Sequence, residues 1–496
     1  MGNEGNIRLF GLALVLIMGI ITYRKGTHIQ AALILFIGPF EYFSYYLGIV
    51  LTPAKLLGIM FLLLGLLNGE YLKRILKSPL KEYGPYLIYA FFITLIMAPF
   101  WPDQGVAISG FMYSVSGRWL TQFLNVAVGL SLAGVICIGI GYSRNRINYI
   151  KVIIYSCTFL SLYGIYVWFA QKNGLPFTTI TRGGGSFGGR ESYVIYTLID
   201  DVRVVRAYSF SGEPKGLSII AGLGLSLLFF TRAFKWGWQK SIVLDFLLGI
   251  VMFVAMYLAY STAGYLILVM GFVAVSIVLT SIKQIGKTLF RIIIFGAVVV
   301  AGSLVLQEAD NSVSISRALE SRVTERLDEG GLFTYAEEGM VKAWKDNPIL
   351  FFTGAGLGGS TFYIREYSNK YAGYVAAARG IIGWLADIGV IGLFLFLVVV
   401  RKQFSIIRRH IMRKGDEWQS LVGLVVFGTY GLVILFTFAH WYLLWAIMGV
   451  WSGGVLIVQR HSAIKTHSVL NQKVLQRHGI INQRFLRYLY LFSRTA

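Results

Sequence analysis

Apolar stretches of about 20 residues recur along this chain from end to end, separated by short polar or basic segments. A helix crossing the hydrocarbon core of a bilayer needs about that length. In lipid its backbone polar groups must pair internally, which makes each such stretch a helix. The pattern predicts spans at 7–23, 30–48, 53–69, 84–100, 118–141, 149–170, 215–231, 241–259, 263–281, 289–306, 380–400, 420–438 and 440–458. The second is interrupted by Pro39 and Glu41. The chain thus reads as an all-α polytopic membrane protein of about 12–13 transmembrane helices with two long loops. Its organisation is N-terminal helices at 1–170, a first long loop at 171–214, central helices at 215–306, a second long loop at 307–378, C-terminal helices at 379–458 and a basic tail at 459–496.

The polar segments test this threading. Arg24 and Lys25, Lys73 to Lys81, Arg144 to Lys151, Arg232 to Lys240, Lys283 to Arg291 and Arg401 to Lys414 all fall on one side of alternating spans. So does the tail, which carries seven Lys or Arg and no Asp or Glu. Such a bias keeps basic loops in the cytoplasm. It places the N-terminus and both long loops outside and the C-terminus inside. The two long loops hold most of the acidic residues.

Composition agrees. Hydrophobic residues make up 56% and charged residues 14%, too few charges for a water-facing surface of this size. The net charge of +22 is explained by the basic loops and tail, so no nucleic-acid partner is expected. Membrane lipids are the expected partner of the tail, where Phe485, Leu486, Tyr488, Leu489, Leu491 and Phe492 alternate with Arg484, Arg487 and Arg494. Cys137 and Cys157 both lie in apolar stretches and read as packing residues. Residues 7–23 lack a basic leader and a small-residue cleavage site, so they are expected to be a retained span.

Long loops are usually functional. In the first, Tyr193 to Leu198 and Val202 to Arg206 are expected to pair as a hairpin around Asp200-Asp201, after a glycine-rich run from Arg182 to Arg190. In the second, helices are expected near Ser314 to Arg326 and Tyr335 to Lys345. Its aromatic residues Phe351, Phe352, Phe362, Tyr363, Tyr367, Tyr371 and Tyr374 could stack on sugars or simply fill a folded cap. Neither loop contains a histidine or a cluster with metal-ligand spacing, so no metal is expected. The run Gly354-Ala355-Gly356-Leu357-Gly358-Gly359 has the spacing of a dinucleotide fingerprint but not its strand–turn–helix setting, and reads as a tight turn.

The candidate chemistry lies where each long loop enters the membrane. The first junction runs from Arg203 through Arg206, Tyr208 and Glu213 to Pro214 and Lys215. Pro214 suits the first turn of a helix, and Glu213 then sits at a helix N-terminus, where negative charge is favoured. The second junction carries Tyr374 and Arg379, with Asp387 about two turns into the following span. An ionisable residue at that depth usually faces an interior or a cavity. Two arginines, Lys215 and two helix N-termini suit a phosphate or diphosphate, and Glu213 could take a proton from an attacking hydroxyl. The alternative for each residue is ordinary: basic side chains at helix ends snorkel to head groups, and a glutamate there caps the helix.

These stretches resemble the bacterial O-antigen polymerase and O-antigen ligase superfamily. The resemblance covers the architecture and three motifs: Arg206 through Leu217, Trp344 to Pro348 followed by Gly354 to Gly358, and Asp387-Ile388-Gly389-Val390-Ile391-Gly392-Leu393. It implies a GT-C-like fold in the bacterial inner membrane, with the active site facing the periplasm. It also implies an undecaprenyl-diphosphate-linked oligosaccharide as substrate, with neither metal nor nucleotide, and a chain-length regulator protein as a candidate partner. Arg206 and Arg379 match the family's diphosphate-binding arginines. Catalytic roles are therefore expected for Arg206, Glu213 and Arg379, and substrate contacts for Arg203, Tyr208, Lys215, Tyr374 and Asp387. The second loop lacks the histidine of ligase-like members, and Thr262 rather than arginine follows Ser261. Both departures favour repeat-unit polymerisation over transfer of a glycan to lipid A core. A lipid-linked saccharide flippase is the alternative outside the enzymes.

Overall fold

A computed structural model describes residues 2–102, 114–279, 335–367 and 378–477, less short stretches among 41–49, 179–201, 143–146, 234–240, 414–417 and 439–440. Helix α1 (Gly2–Lys25) is followed by α2 (Thr27–Ile37), the two-residue strands β1 (Tyr45–Tyr46) and β2 (Val50–Leu51), α3 (Pro53–Leu67) and α4 (Gly69–Lys77). After a 3-10 turn at Pro79–Tyr83 come α5 (Gly84–Met97), α6 (Val115–Tyr142) and α7 (Ile147–Asn173). The first loop contributes β3 (Ile180–Thr181), β4 (Glu191–Ser192), β5 (Tyr196–Ile199) and β6 (Val202–Val205). Then follow α8 (Pro214–Ala233), α9 (Ile242–Leu258) and α10 (Thr262–Leu279). The second loop holds α11 (Tyr335–Asp346), α12 (Ile349–Thr353) and α13 (Ser360–Tyr367), and the chain ends on α14 (Gly380–Met412), α15 (Trp418–Phe438) and α16 (Trp441–Arg477).

Local chemistry sets several helix starts. Thr52 caps α3 by accepting from the Lys55 N–H at 3.2 Å, with Pro53 in the first turn where its missing N–H costs nothing. Ser241 caps α9 by accepting from the Leu244 N–H at 3.2 Å. The interruption at Pro39 is real: α2 stops at Ile37. The expected hairpin forms, with β5 and β6 antiparallel and Ile199 opposite Val202.

The fold is that of an all-α multi-pass membrane protein. Among the described residues six helical runs are long and apolar enough to cross a membrane, or seven if the bent pair of α3 and α4 is one span. Shorter apolar helices at Thr27–Ile37, Ile242–Leu258, Ala263–Val278 and Leu421–Thr437 coincide with further predicted spans. The predicted span at 289–306, the predicted helix at 314–326, the glycine-rich run at 182–190 and the tail stretch at 484–494 lie outside the described residues. Phe10, Ile88, Phe92, Ile242, Phe246, Val269 and Phe394 point outward and are more than half exposed, an arrangement stable in lipid and costly in water.

Among the described residues, Arg232, Lys402 and Arg460 lie at the end of the bundle opposite the two loops. Lys402 on α14 pairs with Glu82 at 3.1 Å, Arg232 on α8 pairs with Asp245 on α9, and Arg460 on α16 donates to the Gly141 carbonyl on α6 at 2.8 Å. Beside them Gln403, fully buried, accepts from the Tyr83 hydroxyl and donates to the Pro79 carbonyl and Ser452, each at 3.2 Å. Along α16, Gly449 and Gly453 lie against the carbonyls of Ala133 and Cys137 on α6. A Cβ there would come within 2.8 and 3.2 Å of those oxygens, so the glycines permit close helix approach. Cys137 and Cys157 are both buried. The opposite end carries the two loops.

Candidate functional site

The first junction is a rigid turn. The chain leaves β6, and the Ala207 N–H donates to the Leu258 carbonyl at 2.8 Å, while Gln171 donates to the Arg206 carbonyl at 3.1 Å. The ends of α7 and α9 therefore hold both flanks of Arg206. Its Nε donates to the Ala259 carbonyl at 3.0 Å, at the C-terminus of α9, where a cation is favoured by the helix dipole. A tight turn then runs from Ser209 to Gly212. The Gly212 N–H bonds the Ser209 carbonyl at 3.0 Å, and Gly212 takes a φ of 89° that suits glycine. Glu213 follows as the exposed residue before Pro214, and its carbonyl accepts the first helical bond of α8 from Leu217 at 3.1 Å. Lys215 sits half-buried in that first turn.

Aromatic packing fixes the turn from behind. The Phe210 ring stacks on Tyr163 with centroids 3.9 Å apart and lies 5.0 Å from Phe43. Tyr208, expected to touch substrate, is instead buried, with its hydroxyl donating to the Thr178 carbonyl at 2.8 Å. Its place is to pin the first loop to the junction. The Arg203 backbone lies in β6, opposite Leu198.

The second junction brings Arg379 to the start of α14 as an exposed residue whose side chain makes no cap bond. Next to it Gly380 packs on the backbone at Phe436 and Thr437, at the loop-bearing end of α15. Helix α8 reaches α15 from another side, where Gly222 faces the Tyr430 hydroxyl. Arg206, in the turn that leads into α8, and Arg379, the residue before α14, thus stand at the same end of the bundle, and α8 and α14 both pack on α15. Tyr374 lies outside the described residues.

Asp387 lies two turns into α14 and packs against the second loop. Helix α14 breaks at Gly389, which has φ 64° and ψ −178°. The break admits the second loop: a Cβ on Gly389 would meet the backbone of Phe352 to Gly354, and one on Gly354 would meet that of Asp387 to Gly389. The Asp387 carboxyl lies against Ser360 and the Gly358 turn, with Arg118 acting on it as a counter-charge, and its Oδ1 is buried without a hydrogen-bond partner. It faces the folded second loop at the start of α13, an interior position of the kind an ionisable residue in a span takes.

The glycine run at 354–359 is a tight turn seated in a socket. The Ala355 N–H donates to the Ala386 carbonyl at 2.8 Å, and Trp101 donates to the Ala355 carbonyl at 2.6 Å. The Leu357 N–H donates to the Thr94 hydroxyl at 2.9 Å, and Tyr89 donates to the Thr353 carbonyl at 2.7 Å. A Cβ at Gly358 would press on Arg118 and Gln122, each 2.8 Å away. Phe362 and Tyr363 are buried in this cap, and Phe352 is exposed. Sequence reasoning missed Arg118, Thr94 and Trp101 because each lies in a helix or turn far from the loop it supports. Beside this socket a cavity of about 580 Å3 is lined by Leu95, Ala98, Pro99, Ser114, Ser116 and Trp119. An indole face with two hydroxyls suits a sugar ring.

Among the described residues no group of three or more His, Cys, Asp or Glu side chains could hold a metal ion. Compared with known proteins, the chain matches no family model, no curated protein and no solved structure.

Proposed function

We propose that the protein is a membrane glycosyltransferase that polymerises undecaprenyl-diphosphate-linked oligosaccharide repeat units into O-antigen or a related surface polysaccharide. In this reading it lies in the bacterial inner membrane with its loop-bearing end in the periplasm. The observation that carries it is the pair of arginines, Arg206 and Arg379, at the helix α8 and α14 junctions around the same end of α15.

The lipid tail enters from the bilayer and its diphosphate reaches the helix ends. Arg206, held by Ala259, and Arg379 bind phosphate oxygens, with Lys215 and the N-terminus of α8 adding positive potential. The bond between the sugar C1 and the diphosphate oxygen breaks, and the leaving group gains negative charge that these donors stabilise more than the ground state. The acceptor hydroxyl forms the new C–O bond, and its proton passes to the Glu213 carboxylate. The glycan then extends past Trp119 and the second loop. Asp387 and Tyr208 serve the scaffold in this scheme. A chain-length regulator remains a proposed partner.

Purified protein incubated with undecaprenyl-diphosphate repeat units alone is expected to give a ladder of lengthening lipid-linked glycans. Transfer seen only after lipid A core is added would replace this reading with the ligase. An inert protein in both reactions that moves the lipid-linked unit across vesicles would replace it with the flippase.

A further inference from the structure

We infer that the protein holds one anionic phospholipid at the end of the bundle opposite the proposed catalytic junctions, with an acyl chain in the crevice between α3, α4, α5 and α6 and the headgroup phosphate on the basic residues of α4 and Lys81. The first observation is the elbow between α3 and α4, where the chain turns by 105°. After that turn α4 reads Gly69-Glu70-Tyr71-Leu72-Lys73-Arg74-Ile75-Leu76-Lys77, an amphipathic helix with Arg74 and Lys77 in its last turn. A short helix of this composition, turned away from the span before it, lies in the plane where hydrocarbon meets headgroups.

The second observation is a cavity. A crevice of about 460 Å3 opens inside the elbow, with Phe61, Leu66, Leu76, Leu87 and Leu130 among its walls and Lys81 at its edge. Gly65 also lines it and lets the Tyr71 ring lie against α3: a Cβ there would stand 3.1 Å from that ring. Leu66 and Leu76 are more than 60% exposed, so the crevice opens toward lipid rather than into the bundle. A slot this predominantly apolar in a membrane protein is filled by hydrocarbon, because water there would have few polar partners.

The third observation is charge. Lys81 is exposed at the edge of the crevice, Arg74 and Lys77 are exposed in the last turn of the helix that walls it, against the single acid Glu70 in that helix, and the adjacent acid Glu82 is already engaged by Lys402 at 3.1 Å. The rim therefore keeps a cationic surplus next to an acyl-sized slot. Each basic group near an anionic surface adds attraction. A lipid with a net-negative headgroup satisfies slot and rim together, whereas a zwitterionic lipid fills only the slot. The location at the basic end makes the lipid one of the inner leaflet if the orientation read from the loops holds. The site does not depend on the proposed chemistry.

The test uses the full chain, detergent-purified and monodisperse, with native mass spectrometry after addition of phosphatidylglycerol or phosphatidylcholine of identical acyl chains. One phosphatidylglycerol is expected to survive activation that strips phosphatidylcholine, with at least a tenfold preference. The double variant Lys77→Gln/Lys81→Gln, on exposed positions, is expected to erase the preference while leaving weak binding of both lipids. Ala127→Phe, which fills the slot from α6, is expected to abolish retention of both. Equal retention of the two lipids by the unmodified protein overturns the proposal. So does a phosphatidylglycerol preference that persists in Ala127→Phe, since that would place binding on surface charge alone.

Discussion

Arg206 Nε donates to the carbonyl of Ala259 at 3.0 Å, so the guanidinium of the first loop is oriented by the C-terminus of a helix 53 residues further along the chain. Orientation is what an arginine fork offers over a lysine. The Arg206→Lys variant is expected to keep the charge but lose the fixed plane, lowering polymerisation by about 10-fold, and Arg206→Ala by about 100-fold or more. Gel ladders quantified at matched protein levels check both. A lysine variant with full activity would mean that the arginine serves only as a cap for α9.

Arg379 separates chemistry from stability. It is exposed, and its side chain makes no cap bond at α14. The Arg379→Gln variant should melt at the same temperature as the parent and yet polymerise about 100-fold more slowly. A variant as active as the parent assigns this residue to head-group contact.

Asp387 is expected to behave in the opposite way. Its carboxyl lies against the Gly358 turn and the start of α13, with Arg118 as counter-charge. Asp387→Asn should lower stability by about 1–3 kcal/mol, because the buried attraction to Arg118 is lost. The fraction that stays folded should keep most of its activity. Thermal melting read beside activity per folded molecule distinguishes this from a substrate contact.

The break in α14 makes a sharper demand. At φ 64° and ψ −178° Gly389 occupies backbone space that side chains avoid, and a Cβ would meet the Phe352 carbonyl. Gly389→Ala is expected to cost more than about 2 kcal/mol and to free the second loop, seen as faster proteolysis between α11 and α14. Gly84→Ala, at a position with nothing within 4 Å of the added Cβ, serves as the silent control.

Sidedness is testable with single cysteines. Both native thiols are buried and give little background labelling. A cysteine at Glu213 and one at Lys402 should react with a membrane-impermeant maleimide from opposite faces of oriented vesicles. Labelling of both from one face would overturn the threading.

The hydropathy pattern determined where helices run, because burying an apolar segment of given length in lipid is a local matter. It located α3, α6, α7 and α8 closely, the stop before Pro39, and the hairpin of β5 and β6. It also marked the basic loops, whose gathering at one end follows from alternating threading. The same locality hid the site's supports. Tyr208 looked like a junction side chain, but whether it faces substrate or Thr178 depends on how the first loop folds back on α7. What Asp387 packs against was hidden too, because a one-dimensional pattern does not show the break at Gly389 against which the Gly354 backbone seats. Trp101 meets Ala355 across 254 positions, and nothing in either local stretch marks the other. Sequence alone therefore determined the spans, the basic end and the residue types at the two junctions. Tertiary structure decided which of those residues face outward and which hold the loops, because hydrogen-bond geometry and close backbone approach exist only once distant helices have met.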